Sequence, residues 1–205
     1  MNRREVLLEK AEALFSEHGF EGTSIRTLAQ EAGTNVAMIS YYFGSKEKLF
    51  ATLVEIRAGV IRERIKELLE KFPDPELRLE ELVKLYVDRF LSQPKFHRIL
   101  YREVSLNRRP ELQSAIADVL MRNVSELRKV LQDGIEQGRF REVDIDLTIV
   151  TFVGSITQLV TASPQMHQRM LGQKIGEDIS EIQKLRNRLV NHLSSLLKAH
   201  LLPVS

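Results

Sequence analysis

Apolar residues in this chain return every three or four positions, in one segment after another, and Gly or Pro stands where most of these segments stop. Period-2 alternation of β-branched residues, the mark of a strand with one buried face, is missing. A chain patterned this way has to bury helical stripes against one another, so the expected fold class is all-α. The punctuation marks helices over residues 3–18, ended by Gly19, and over a segment opened by Thr23 or Ser24 and closed by Gly33. A short helix over 36–43 follows, capped by Asn35 and closed by Gly44. Ser45 opens a long one over 46–70, with Leu49, Phe50, Leu53, Val60, Ile61 and Leu68 as its apolar positions. Further helices are expected over 75–91, 95–107 and 110–137. Another runs from a cap at Asp144 or Asp146 to residue 162, and a last one covers 178–201. The stretch 163–176, rich in Gln, Met and Gly, reads as a loop.

The 205 residues are 43% apolar and 28% charged, ordinary proportions for a globular protein. No uncharged apolar run is long enough to span a membrane, and the charged N-terminus lacks the pattern of a signal peptide. Cysteine is absent, which excludes disulfides, thiolate zinc sites and cysteine nucleophiles and agrees with a cytoplasmic location. Net charge is +2, and the first 48 residues hold six Lys and Arg against seven Asp and Glu, so bulk charge carries no nucleic-acid signal.

Placement of charge carries one instead. Two short helices joined through Gly33-Thr34-Asn35 form a helix-turn-helix, whose second helix is too short to stand without neighbours. With Ile39 turned inward, Val36 and Phe43 lie beside it, and Ala37 and Tyr41 point outward with Met38 and Ser40 flanking them. That face carries no Arg, Lys, Gln or Asn. Ala37 and Met38 suit thymine methyls, Ser40 and Tyr41 can hydrogen-bond, and Arg26 is the nearest candidate for guanine. Arg3 and Arg4 can reach a neighbouring phosphate or the minor groove. Thr23, Ser24, Ser45, Lys46, Lys48 and Tyr42 gather hydroxyls, charge and helix starts along one edge for phosphates, with Asn35 at the turn. The same shape also serves protein contacts, so a helical interaction module stands as the alternative.

The run Thr23-Ser24-Ile25-Arg26-Thr27-Leu28-Ala29, then Ala32-Gly33, then the stretch from Ile39 to Leu49 resembles the signature of the TetR family, without a gap over 6–50. The resemblance implies a base-contacting helix over 36–43, a phosphate contact at Tyr42 and a functional Lys46, in a DNA-binding domain over 1–48 joined through the long helix to an effector-binding and dimerisation domain over 49–205. Val36, where the family often has a polar or basic residue, and Ser40, where it often has an aromatic one, depart from the pattern. The operator sequence is therefore not carried over.

The later helices divide between two expected roles. Ile156 on one and Leu185, Leu189, Leu193 and Leu196 on the last form broad apolar stripes, which bury either in their own protomer or in a four-helix interface with a second copy. The family resemblance implies the second, a homodimer. Phe90, Phe96, Leu100, Tyr101 and Val104 cluster around Pro94 and, with Phe152 and Ile156, suit an apolar pocket for a small-molecule effector, with His97, Arg102 and Gln158 as polar candidates. None of the five histidines has metal-ligand spacing, and no phosphate loop or serine elbow occurs. No metal, cofactor or catalytic residue is expected. The expected function is a homodimeric repressor that binds double-stranded operator DNA and is released by an effector.

Overall fold

Side-chain caps open most of the helices. In the computed structural model, which describes residues 2–105, 109–172 and 179–203, Asn2 accepts from the Arg4 N–H (3.2 Å) and its own N–H donates to Glu5 (3.0 Å). This reciprocal pair starts α1 (Arg3–Gly22). Ser24 accepts from the Thr27 N–H (3.0 Å) to open α2 (Ile25–Glu31), and Asn35 from the Met38 N–H (3.0 Å) to open α3 (Val36–Phe43). Ser45 does the same for α4 (Lys46–Lys71) through the Lys48 N–H. Asp74 caps α5 (Pro75–Ser92); α6 (Pro94–Ser105) and α7 (Pro110–Glu136) begin on prolines, whose missing N–H costs nothing at a helix start. Asp144 caps α8 (Ile145–Thr161), Ser163 caps α9 (Pro164–Leu171), and α10 (Ile179–Leu201) is the last helix. Among the described residues there is no strand.

Two segments differ from expectation. The first helix does not end at Gly19; it breaks there (φ 75°) and resumes to Gly22. The expected loop holds α9, opened by Ser163 and Pro164 and anchored where the buried His167 ring meets the Leu159 carbonyl of α8 through Nε2. The rest of that loop, over 173–176, and the expected start at Asp178 lie outside the described residues.

The chain packs as two units, Met1–Val60 with Lys95–Met121, and Ile61–Pro94 with Arg122–Ser205. This division differs from a boundary after residue 48. Phe96, Ile99, Leu100, Leu112, Ile116 and Val119 join the core built by Leu7, Phe15, Phe20, Leu28, Ile39 and Phe50, because three short helices alone enclose too little apolar surface. At its centre Phe15 and Phe20 stack at 5.5 Å, and Phe50 meets both edge-on at 5.3 and 5.4 Å. Arg57 of α4 donates to Glu12 of α1 at 2.8 Å.

In the second unit α10 lies along α5, tied by ion pairs Lys198–Glu80 and Arg186–Asp88. The nearly buried Arg78 donates to the Phe72 carbonyl beyond the end of α4 (2.9 Å) and pairs with Asp133. That hydrogen bond holds the Asp133 carboxyl below its ordinary value. Leu185, Leu189 and Leu193, like Ile156, are at most 7% exposed within the protomer. They are core residues and do not form an outer seam; of the expected dimer contacts only Leu196 is exposed, at 42%. The stripe faces inward because an α-helix offers one face to its own core first, and α5 is there to cover it.

Gly134 inside α7 is required by close approach. A Cβ there would sit 2.2 Å from a ring carbon of the buried Phe140, whose N–H donates back to the Gly134 carbonyl at 2.9 Å. Gly134→Ala is expected to cost about 1–3 kcal/mol, read as a lower urea midpoint at unchanged slope. An unchanged midpoint would refute this account of the turn.

Candidate nucleic-acid interface

The α2–α3 turn needs a left-handed residue, and Gly33 supplies it at φ 60°. The Thr34 N–H then donates to the Ala29 carbonyl at 2.9 Å, which fixes the angle between the helices. Inside α3, Ile39 and Phe43 are buried and Tyr42 packs half-buried against the same core. The inward stripe is therefore 39, 42 and 43. Val36, expected inside, is 41% exposed because the stripe rolls toward Tyr42 and leaves the first turn uncovered. Ala37, Ser40 and Tyr41 face solvent, Tyr41 at 79% exposure, and Met38 is half-buried. Tyr42, the expected phosphate contact, is held edge-on to Tyr41 at 5.2 Å.

Several expected phosphate contacts hold the fold together. Thr23 is fully buried, and its hydroxyl donates to the Leu14 and Gly19 carbonyls (3.2 and 2.8 Å), so it has no path to a ligand. The Lys46 ammonium donates to the Phe20 and Thr23 carbonyls (2.8 and 3.0 Å) and sits 4.3 Å from the Phe20 ring centre. Burial lowers its pKa, against the opposing fields of Glu47 and Glu103. Two of its three donors are spent on the turn that leads into α2. Arg3 and Arg4 lie in the first turn of α1, so neither stands on an extended arm of the kind that enters a minor groove; the Arg4 guanidinium lies 5.4 Å from the Phe43 ring centre. Ser24, Arg26 and Asn35 are exposed and Ser45 is half-exposed, but the Ser24, Asn35 and Ser45 oxygens already cap helices. Lys48 is exposed beside Ser45. Glu103 and Arg109, which close on this turn from far along the chain, carry no local sequence signal.

The expected pocket residues separate. Phe96 and Leu100 are buried in the first unit, where Val104 and Tyr101 are half-buried. Phe90, Phe152 and Ile156 belong to the second, where Tyr86 bridges Phe90 and Phe152 at ring distances of 6.2 and 5.3 Å. A void of about 10 Å³ beside Phe152 is far below ligand size. His97 is buried, whereas Arg102 and Gln158 are exposed. On the outer side of α8 and α10, a cleft of about 330 Å³ opens between Leu147, Thr151, Leu196 and His200, with Val150 at 65% exposure on the same helix.

A short helix carried outward on a two-helix turn, with its inner side locked into a core, is a helix-turn-helix, the build by which many regulators dock on DNA. The chain belongs to the TetR family: the family model for bacterial regulatory proteins of the tetR family matches residues 7–53, and that of a tetracyclin repressor-like C-terminal domain matches 75–189. It is 33% identical over 150 residues to the HTH-type transcriptional repressor NicS of Pseudomonas putida, covering 71% of this chain and 68% of that one. It is 28% identical over 166 residues to a probable acrEF/envCD operon repressor of Escherichia coli, covering 78% and 75%. The fatty acid degradation regulator FadR of Bacillus halodurans superposes with a TM-score of 0.76 at 22% identity, covering 97% of each chain. FadR of Bacillus subtilis, solved in complex with stearoyl-CoA, superposes with 0.75 at 21%, covering 93% of this chain and 97% of that one. The protein is thus a DNA-binding transcriptional regulator, a family whose named members here are regulators and not enzymes. Among the described residues no helix is long and apolar enough to cross a membrane.

Proposed function

We propose that the protein is a homodimeric repressor that acts in the cytoplasm on double-stranded operator DNA and is released by a mainly apolar small molecule. The observation that carries the DNA reading is the outer face of α3, where Tyr41, Ser40 and Ala37 stand exposed on a helix whose inner side is locked into the core. Repression is supported by the names of the relatives, and an apolar effector by the stearoyl-CoA with which one structural neighbour was solved. Dimerisation is assigned to the exposed faces of α8 and α10, with Leu147, Val150 and Leu196 in place of the buried leucines.

Gel shifts against duplexes selected from a random library test the DNA reading. Lys48→Ala is expected to weaken binding to all duplexes and to reduce the salt slope by about 1, as loss of one phosphate contact does. Tyr41→Ala should change which duplexes are preferred. Selected affinity and sequence preference both untouched by Tyr41→Ala would reject the docking face. Stearoyl-CoA and shorter acyl-CoA thioesters, titrated into the protein–DNA complex, test the effector separately.

A further inference from the structure

Two cations share the Phe20 ring. Lys46 reaches it from the start of α4, and the Arg109 guanidinium, from the residue before α7, lies 4.6 Å from the ring centre. Arg109 also donates to Glu103 of α6 at 2.7 Å and pairs with Glu21, the neighbour of Phe20 in the chain. The Glu103 side chain is 3% exposed, and Arg109 is a cation paired directly with this anion held out of water, with the Lys46 charge acting on it as well. Gln113 of α7 donates to the Glu103 and Val104 carbonyls (3.3 and 3.0 Å), which ties the end of α6 to α7. Phe20 and Glu21 lie one residue, Gly22, ahead of Thr23 and Ser24, the residues that anchor and cap α2. All of these groups lie within the first unit.

We propose that Arg109 is a positioning residue for DNA recognition. It holds the turn over 20–24 from the α6–α7 side, as Lys46 holds it from α4, and the two set the angle at which α2 and α3 leave α1. The guanidinium suits this role because its rigid, planar fork directs separate N–H groups at two carboxylates while its flat face can lie on a ring, a fixed geometry that the freely rotating ammonium lacks. The inference rests on the operator-binding reading above.

The test uses the full chain and a duplex that the wild type selects from a random library, beside an unselected duplex. Arg109→Ala, Glu21→Gln and the double variant Glu103→Gln with Arg109→Met are compared by affinity across a salt series. The double variant removes the buried carboxylate's charge together with its partner, and Glu21 is exposed, so these two remain readable if Arg109→Ala unfolds. Affinity for the selected duplex is expected to fall by about fivefold or more in the Arg109 variants, a coupling of ordinary size. Glu21→Gln should move in the same direction by less. Affinity for the unselected duplex and the salt slope should not change, which mere destabilisation or a lost phosphate contact would not produce together. Unchanged preference for the selected duplex in the folded Arg109 variants overturns the proposal. So does a uniform loss with the slope lowered by about 1, which would make Arg109 a direct phosphate contact. A wild type that selects no duplex overturns the operator reading, and this proposal with it.

Discussion

Aspartate placed at both Leu147 and Leu196 is expected to leave a helical monomer that binds its operator roughly 10²-fold more weakly or worse. Leu147 is 63% exposed and Leu196 42%, and both line the cleft between α8 and α10. Side chains this open contribute little to the protomer, so charging them should not unfold it. Buried between two copies, the same charges would have no partners and would cost several kcal/mol. A dimer engages two half-sites together, and a monomer forfeits that gain. Leu193→Asp is the contrasting variant: at 1% exposure it should lose helix signal before it dissociates. Sedimentation, circular dichroism and gel shift read the three outcomes. A Leu147 and Leu196 double variant that still sediments as a dimer rejects this face.

Phe50→Ala is expected to cost about 3–5 kcal/mol, out of a total stability of roughly 5–15 kcal/mol for a typical domain. Phe50 is fully buried and meets Phe15, Phe20 and Phe96, so truncation leaves a hole where α1, α4 and α6 converge. Ile39 and Phe43 of α3 belong to the same core, and operator binding should therefore fail at temperatures where the wild type still binds. Ile56→Ala, on the exposed side of α4, should stay within about 0.5 kcal/mol. Urea unfolding followed at 222 nm measures both. A loss below about 1 kcal/mol at Phe50 would mean that the site collapses freely and that this cluster does not set the stability of the DNA-binding unit.

The helix-turn-helix could be read before folding because its signals are local. Asn35 caps, Gly33 turns and Gly44 closes, each through its own backbone or that of residues a few positions away, and the observed α3 bounds are those expected. The start of α9 was equally local, in Ser163 and Pro164; the Gln, Met and Gly around it masked an eight-residue helix with little apolar stripe. The roles of Thr23 and Lys46 were not local. A buried threonine and a surface one look alike in sequence, and a lysine that starts a helix suits a phosphate until Phe20 and Thr23 turn their carbonyls toward it.

What the amino-acid sequence determined by itself was the described helices other than α9, most of their caps and the family, since periodicity, capping and turn chemistry act over a few residues. Which leucines of α10 turn inward was decided by the packing of that helix, along α5, which leaves Leu185, Leu189 and Leu193 buried and Leu196 open. The extent of the first packing unit was decided by α6 and the first half of α7, whose side chains complete its core from beyond residue 94. Arg109 meets Glu21 across 88 positions of chain, and no local pattern encodes a pair at that separation. Burial is a property of what packs against a residue, so it was settled only when these distant segments came together.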